Sequence, residues 1–313
     1  MTVESDPVIV ALAAHLGQLL PDMPLEDRAR FAQAIRGGEP YVPGPDAVRR
    51  DGLPRGERRE GVCPAGVIYP GLEHHYTLYV PAQYDGASDA ALMVFQDGAR
   101  YLGPECDATA VLDNLIAAGD MPATVAVFVE PGARGPGLPV YGGSDNRSIE
   151  YDRLGDDYAR FLLGELIPHA TQGLRITSDP ALRALCGLSS GGICAFNVAW
   201  ERPGSFGKVI SHCGSFVDLR GGHLVAPAVR AAPQRPLRVF LQSGANDLDI
   251  RFGNWLLANQ TLASALAYRG YDHQLVIGSG GHSLAHGGAI FPDTLRWLFR
   301  DWRAAHSPME TTP

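Results

Sequence analysis

The sequence predicts an α/β protein: a mostly parallel central sheet with helices on both faces, preceded by antiparallel strands. Two observations predict it. From Ala91 onward, short apolar runs alternate with longer runs of helical period, the pattern of repeated strand–helix units. Gly187, Ser189 and Gly191 form a Gly-x-Ser-x-Gly pentad at the junction of an apolar run and a helix-compatible one, Ile193 to Trp200. That junction is where a serine is lifted on a tight strand-to-helix turn.

The elements follow in order. Residues 1–37 read as helical, with Val8 to Leu20 an amphipathic helix, closed by Gly37-Gly38. Residues 39–62, rich in Pro, Gly and Arg, read as an extended arm. Antiparallel strands are expected near Gly66 to Tyr69 and His75 to Val80, bounded by Pro70-Gly71 and Pro81. Further strands are expected at 91–96, 122–129, 182–186, 208–212, 237–242 and 272–277. Helices are expected at 107–118, 151–168, 190–202, 254–269 and 290–304. A Gly-rich loop, Pro131 to Ile149, leads into the helix at Tyr151, and loops of that length often shape a site. The resulting division is an N-terminal helix and arm (1–62), a catalytic domain (63–306) and a tail (307–313).

Composition narrows the function classes. The 313 residues suit one large α/β domain with an extension, and 45% hydrophobic content supplies a substantial core. A net charge of −8 argues against nucleic acid or an anionic membrane as partner. The Arg-rich stretch Arg49 to Arg59 is broken by Asp51, Pro54 and Glu57 and reads as a solvated loop. No run of 18 apolar residues spans a bilayer. Glu4 and Asp6 stand where a signal peptide has Lys or Arg. With the odd count of five cysteines (Cys63, Cys106, Cys186, Cys194, Cys213), this predicts reduced, buried thiols and a cytoplasmic setting. The sequons at Asn146 and Asn259 then carry no weight.

A serine nucleophile needs a base and an acid to orient it. In hydrolases of the α/β type the chain order is Ser, Asp or Glu, His. After Ser189 an apolar strand, Leu237 to Gln242, runs into Ala245-Asn246-Asp247-Leu248-Asp249. Asp247 and Asp249 both qualify as the acid, and Asp247 is nearer the strand end. Gln274 to Ile277 then leads into Gly278-Ser279-Gly280-Gly281-His282. His282 is the expected base, taking the serine proton and returning it to the leaving group; His286 is its rival. The separations of 58 and 35 residues leave room for the intervening elements. His282 and His286 also suggest a metal pair, but Ser283 stands where His-Glu-x-x-His needs glutamate, so no metal and no cofactor is expected. The oxyanion donors are expected at the Ser190 N–H and, after the strand Ala91 to Gln96, at the Ala99 N–H, with Gly98 permitting close approach.

Four segments together carry a family resemblance: Gln96-Asp97-Gly98; Asn146-Arg147-Ser148-Ile149-Glu150-Tyr151-Asp152; Gly187-Leu188-Ser189-Ser190-Gly191-Gly192; and Ser243-Gly244-Ala245-Asn246-Asp247 with Gly280-Gly281-His282. The chain resembles the enterochelin esterase family of α/β hydrolases, which also includes feruloyl esterases and mycolyltransferases. The resemblance implies the α/β-hydrolase fold, a Ser189–His282–Asp247 triad and oxyanion donors at Ala99 and Ser190. It also implies a buried Arg147–Glu150 pair supporting the site. Some family members carry an N-terminal sandwich domain, and none is expected within the sequence before residue 70.

The expected function is hydrolysis of an aryl, sugar-linked or lactone carboxylic ester through an acyl-enzyme, on a small-molecule substrate. The alternatives are acyl transfer with the same triad and a non-catalytic binding protein of the same fold. A homo-oligomer stays open. Tyr101, Tyr141, Phe216 and Trp255 are candidates for an aromatic wall.

Overall fold

The computed structural model describes residues 7–20, 22–36, 41–132 and 146–303. Its centre is an eight-stranded sheet. The strands are β1 (Glu57–Cys63), β2 (His74–Val80), β3 (Ala91–Gln96), β4 (Thr124–Val129), β5 (Arg183–Leu188), β6 (Lys208–His212), β7 (Arg238–Gly244) and β8 (Asp272–Gly278). Their spatial order is β1-β2-β4-β3-β5-β6-β7-β8. β1 and β2 are antiparallel to each other, and β2 is antiparallel to β4. From β4 to β8 every pairing is parallel. This is the α/β-hydrolase arrangement.

The period of two along each strand divides the core between two faces. Leu92, Val94, Leu185, Val209 and Leu241 face one layer. That layer holds α5 (Asp157–Phe161), α7 (Ser190–Glu201), α8 (Val225–Ala231) and α9 (Trp255–Tyr268) through Phe161, Ile193, Phe196, Val229, Leu262 and Leu266. Met93, Phe95, Cys186, Ile210 and Phe240 face the other. There α3 (Ala108–Ala118) and α11 (Phe291–Leu298), which follows the short α10 (Ala285–Ala289), pack through Val111, Leu115, Phe291 and Leu295. β3 and β4 are buried at every position, as strands covered on both faces must be.

Four elements differ from the sequence reading. The arm at 39–62 contains β1, whose Glu57-Arg58-Arg59-Glu60 run is exposed and lacks an apolar alternation; charge suits an edge strand that must not pair further. The strand expected at Gly66 to Tyr69 does not form. There the Val67 and Ile68 N–H groups donate to the Glu165 carboxylate at 2.8 and 3.0 Å in place of a ladder. The helix expected at 151–168 begins earlier, as α4 (Arg147–Tyr151), and breaks around Gly155, where φ is +120°. It resumes as α5, passes through a π-helical turn at Leu162–Leu166 and ends as α6 (Ile167–Ala170). The last expected helix is shorter, Phe291–Leu298, and Gly37-Gly38 and the tail 307–313 lie outside the described residues.

The N-terminal stretch forms two helices, α1 (Pro7–Leu19) and α2 (Leu25–Arg36). α2 lies on the segment after β7: Arg30 donates to the Asp249 carbonyl at 3.1 Å, and the Arg251 N–H donates to the buried Asp27 carboxylate at 3.2 Å. Phe31 and Ala34 pack with Val217, Leu248, Ile250 and Trp255. No described helix is long and apolar enough to cross a membrane, and all five cysteines are unpaired and buried.

Candidate active site

Ser189 joins β5 to α7 with φ 60° and ψ −120°, a backbone conformation that only a packed elbow sustains in a non-glycine residue. Sterics explain the flanking glycines. A Cβ on Gly187 would lie 2.1 Å from the Gly191 carbonyl oxygen, so the turn closes only with glycine there. The Ser189 N–H donates to the His212 carbonyl at 2.8 Å, tying the elbow to β6. Ser190 is the first residue of α7, so its N–H has no partner within the helix.

His282 and Asp247 come to this serine from the ends of β8 and β7. Ser189 Oγ lies 2.9 Å from His282 Nε2, and His282 Nδ1 lies 2.6 Å from Asp247 Oδ1. The Asp247 carboxylate also accepts from Ser243 Oγ and from the Leu248 N–H, each at 2.8 Å. Burial pushes the Asp247 carboxyl up, but the His282 charge and these hydrogen bonds outweigh it and hold the group below its ordinary range. It is therefore an anion able to stabilise imidazolium. The His282 loop is held from outside the sheet: its N–H donates to the Ala34 carbonyl of α2 at 2.8 Å. A Cβ on Gly281 would sit 1.8 Å from that same oxygen. Phe31 and Trp255 each meet the imidazole edge-on at 6.0 Å.

The rivals lie elsewhere. His286 stacks on Tyr41 at 4.5 Å and contacts Gln242 at 3.2 Å, and burial lowers its pKa. The Asp249 side chain is exposed. Ser215, which the sequence reading missed, lies on the loop after β6. Its Oγ is 3.2 Å from Ser189 Oγ and accepts from the Trp255 indole N–H at 3.1 Å. No motif flags it, because a lone serine after a strand carries no pattern.

The other side of the elbow corrects two expectations. Arg147 does not pair with Glu150. Its guanidinium takes Asp97 in a two-pronged bond of 2.7 and 2.6 Å, which fixes the turn after β3. Glu150 instead accepts from Asn146, from the Gly132 N–H and from the buried His74 ring at 3.1 Å. The planar fork of Arg147 matches the carboxylate that the αL turn at Asp97 presents (φ 55°), whereas Glu150 points to β2 and the loop after β4. The second correction concerns Ala99. Its N–H, the expected oxyanion donor, already donates to Glu130 Oε1 at 2.6 Å. Burial raises the Glu130 carboxyl, with Asp97 adding to the rise. Gly98 does permit a close approach, since a Cβ there would lie 2.4 Å from the Phe128 backbone.

Asp152, beneath Ser190, is buried, and neither of its oxygens has a hydrogen-bond partner among the described residues. Burial pushes its carboxyl up to about 6, against the nearby Arg147 charge. Among the described residues, one cluster brings potential metal ligands together: Cys213 Sγ, Asp247 and His282, within 4.8 Å. Burial and the Asp247 charge raise the thiol well above its usual value, so it stays protonated, and Asp247 and His282 already engage each other. Of the aromatic-wall candidates, Trp255 reaches the site. Tyr101 is core, bonded to His212 at 2.9 Å, Phe216 packs on Phe196, and Tyr141 lies outside the described residues.

The chain is similar in sequence and in fold to known esterases. Residues 69–298 match the family model of Esterase, described as "Putative esterase". The iron(III) enterobactin esterase of Dickeya dadantii (strain 3937) is 27% identical over 240 residues, 71% of this chain and 50% of that protein. The chain spans about half the length of the curated relatives it matches. Among solved structures, the enterobactin esterase of Shigella flexneri, determined in the presence of enterobactin, has a TM-score of 0.66 at 19% identity, covering 84% of this chain and 63% of that one. A ferulic acid esterase of Anaeromyces mucronatus has a TM-score of 0.65 at 16% identity, covering 82% and 95%.

Proposed function

The chain belongs to the Esterase family, and we propose that it hydrolyses carboxylic esters by a serine mechanism, with Ser189 as nucleophile, His282 as base and Asp247 as acid. The continuous Ser189–His282–Asp247 array at 2.9 and 2.6 Å carries this reading. Ser189 Oγ attacks the ester carbonyl and its proton passes to His282 Nε2. The imidazolium, stabilised by Asp247, protonates the departing alcohol. Water then adds to the acyl group, giving its proton to His282, and the C–Oγ bond breaks to release the acid. The Ser190 N–H, at the N-terminus of α7, supports the oxyanion.

The substrate class is an aryl, sugar-linked or lactone ester. The names of the relatives, and the Phe31 and Trp255 rings flanking His282, favour an aryl group. A fluorophosphonate probe should label Ser189, and kcat/KM over aryl, sugar-linked and alkyl esters should be highest for an aryl acyl group. Absence of labelling, or unchanged hydrolysis by Ser189→Ala, overturns the mechanism.

A further inference from the structure

Among the described residues Ser189 Oγ has two partners, and counting protons between them assigns a role to a second serine. The indole Nε1–H of Trp255 can only donate, so Ser215 Oγ accepts from it. With the proton of His282 on Nδ1 and donated to the Asp247 carboxylate, Nε2 carries a lone pair and accepts the single Ser189 proton. The Ser189–Ser215 contact at 3.2 Å then has one proton left to fill it, that of Ser215. No other acceptor is within reach of Ser215 Oγ among the described residues.

We propose that Ser215 is a positioning residue for the nucleophile, its hydroxyl oriented by Trp255 and donating to Ser189 Oγ throughout the reaction; this rests on the nucleophile role put forward above. The donor is firmly placed. The Ser215 N–H donates to the Ser189 carbonyl at 3.1 Å, and Ser215 is 1% exposed. The amide of Asn259, itself fully buried, donates at 2.9 Å to both the Gly214 and Trp255 carbonyls, locking the Ser215 loop to α9.

The two half-reactions feel this donor differently. In acylation it holds Oγ toward His282 but lowers the basicity of the attacking oxygen, so the two effects oppose. In deacylation Oγ is the leaving group. The C–Oγ bonding pair moves onto Oγ while His282 returns a proton to it, and a hydrogen bond to Oγ strengthens as that charge grows. Removing the donor therefore slows deacylation more than acylation.

Stopped-flow hydrolysis of a p-nitrophenyl ester, with the wild type, Ser215→Ala, Ser215→Thr and Trp255→Phe, tests this. In Ser215→Ala the deacylation rate should fall by about 100-fold, the lower end of the scale for a lost oxyanion donor, with acylation changed far less. The burst then grows, and KM falls together with kcat. Ser215→Thr, which keeps the hydroxyl, should restore the wild-type partition. Trp255→Phe should shift the partition the same way by a smaller factor and add nothing to Ser215→Ala in the double variant. An unchanged partition in Ser215→Ala, or an equal fall in both rates, overturns the proposal. Should Ser215→Ala fail to fold, Trp255→Phe decides alone, and a wild-type burst there overturns it. Wild-type protein that resists the fluorophosphonate overturns the nucleophile reading as well, whereas labelled protein with an unmoved partition overturns this inference only.

Discussion

The two sides of the Ser189 elbow are built on different principles. On the β7–β8 side, each polar atom of Asp247 and His282 has a partner suited to it: a carboxylate with three donors and an imidazole with an acceptor and a donor. On the β3–β4 side, four carboxylates, Asp97, Glu130, Glu150 and Asp152, crowd the turn, and among the described residues Arg147 hydrogen-bonds to Asp97 alone. One side is satisfied and ready for proton transfer. The other keeps an N–H occupied and a buried acid unbonded. Satisfaction and readiness thus coincide where proton transfer is needed and part where a charge must be received.

The sharpest way to break the comparison is to remove the satisfied side. Ser189→Ala should abolish ester hydrolysis, His282→Ala should lower kcat/KM by about 10⁴-fold or more, and Asp247→Asn by about 10⁴-fold. His286→Ala and Asp249→Asn should stay near wild type in the same assay. A sensitive His286 or Asp249 would erase the distinction between the array and its neighbours.

On the crowded side, Arg147→Met should cost about 3–5 kcal/mol of stability in denaturant melts, because it leaves the Asp97 carboxylate buried without its counter-charge. A loss under 1 kcal/mol would show that the turn after β3 does not depend on this pair.

Asp152→Asn tests the unbonded acid through pH. A folded-state value of about 6 lies above the ordinary carboxyl value, so between the two the folded protein holds more protons than the unfolded one. This group's contribution to stability therefore falls as pH rises through that window. The asparagine variant should gain about 2–3 kcal/mol relative to wild type between pH 4 and pH 8. Parallel stability curves across that range would sink the assignment.

The smallest effect is expected at Glu130. Glu130→Gln weakens a charged acceptor on the Ala99 N–H without removing the side chain, and kcat should rise by a few-fold as that donor becomes available to the oxyanion. A fall in kcat would mean that the carboxylate is needed to hold the loop.

This asymmetry also explains what could be read from residue order. Strand–helix alternation after Ala91 announces the parallel sheet, and Ser189, Asp247 and His282 are recognisable because side chains of rare type stand at strand ends. The partner of Ala99 could not be read, because a backbone N–H is the same at every residue and Glu130 arrives from another strand. Nor could the Arg147–Asp97 pairing: four nearby acids compete for one guanidinium, and the turn geometry at Asp97 decides. β1 escaped notice because an exposed edge strand needs no apolar alternation. Ser215 matters by proton count, which only distances supply.

One bond has a consequence for how the protein comes into being. The His282 N–H reaches the Ala34 carbonyl, so the His282 loop, the last of the three site segments to be synthesised, is clasped by a helix made long before it. The helix must wait, through translation of the whole sheet, for its contacts with His282. Contacts so remote along the chain are entropically slow to close. Refolding protein should regain its sheet, by circular dichroism, before it regains turnover, and a bulky fusion next to α2 should widen that delay while leaving the finished enzyme's melting temperature nearly unmoved.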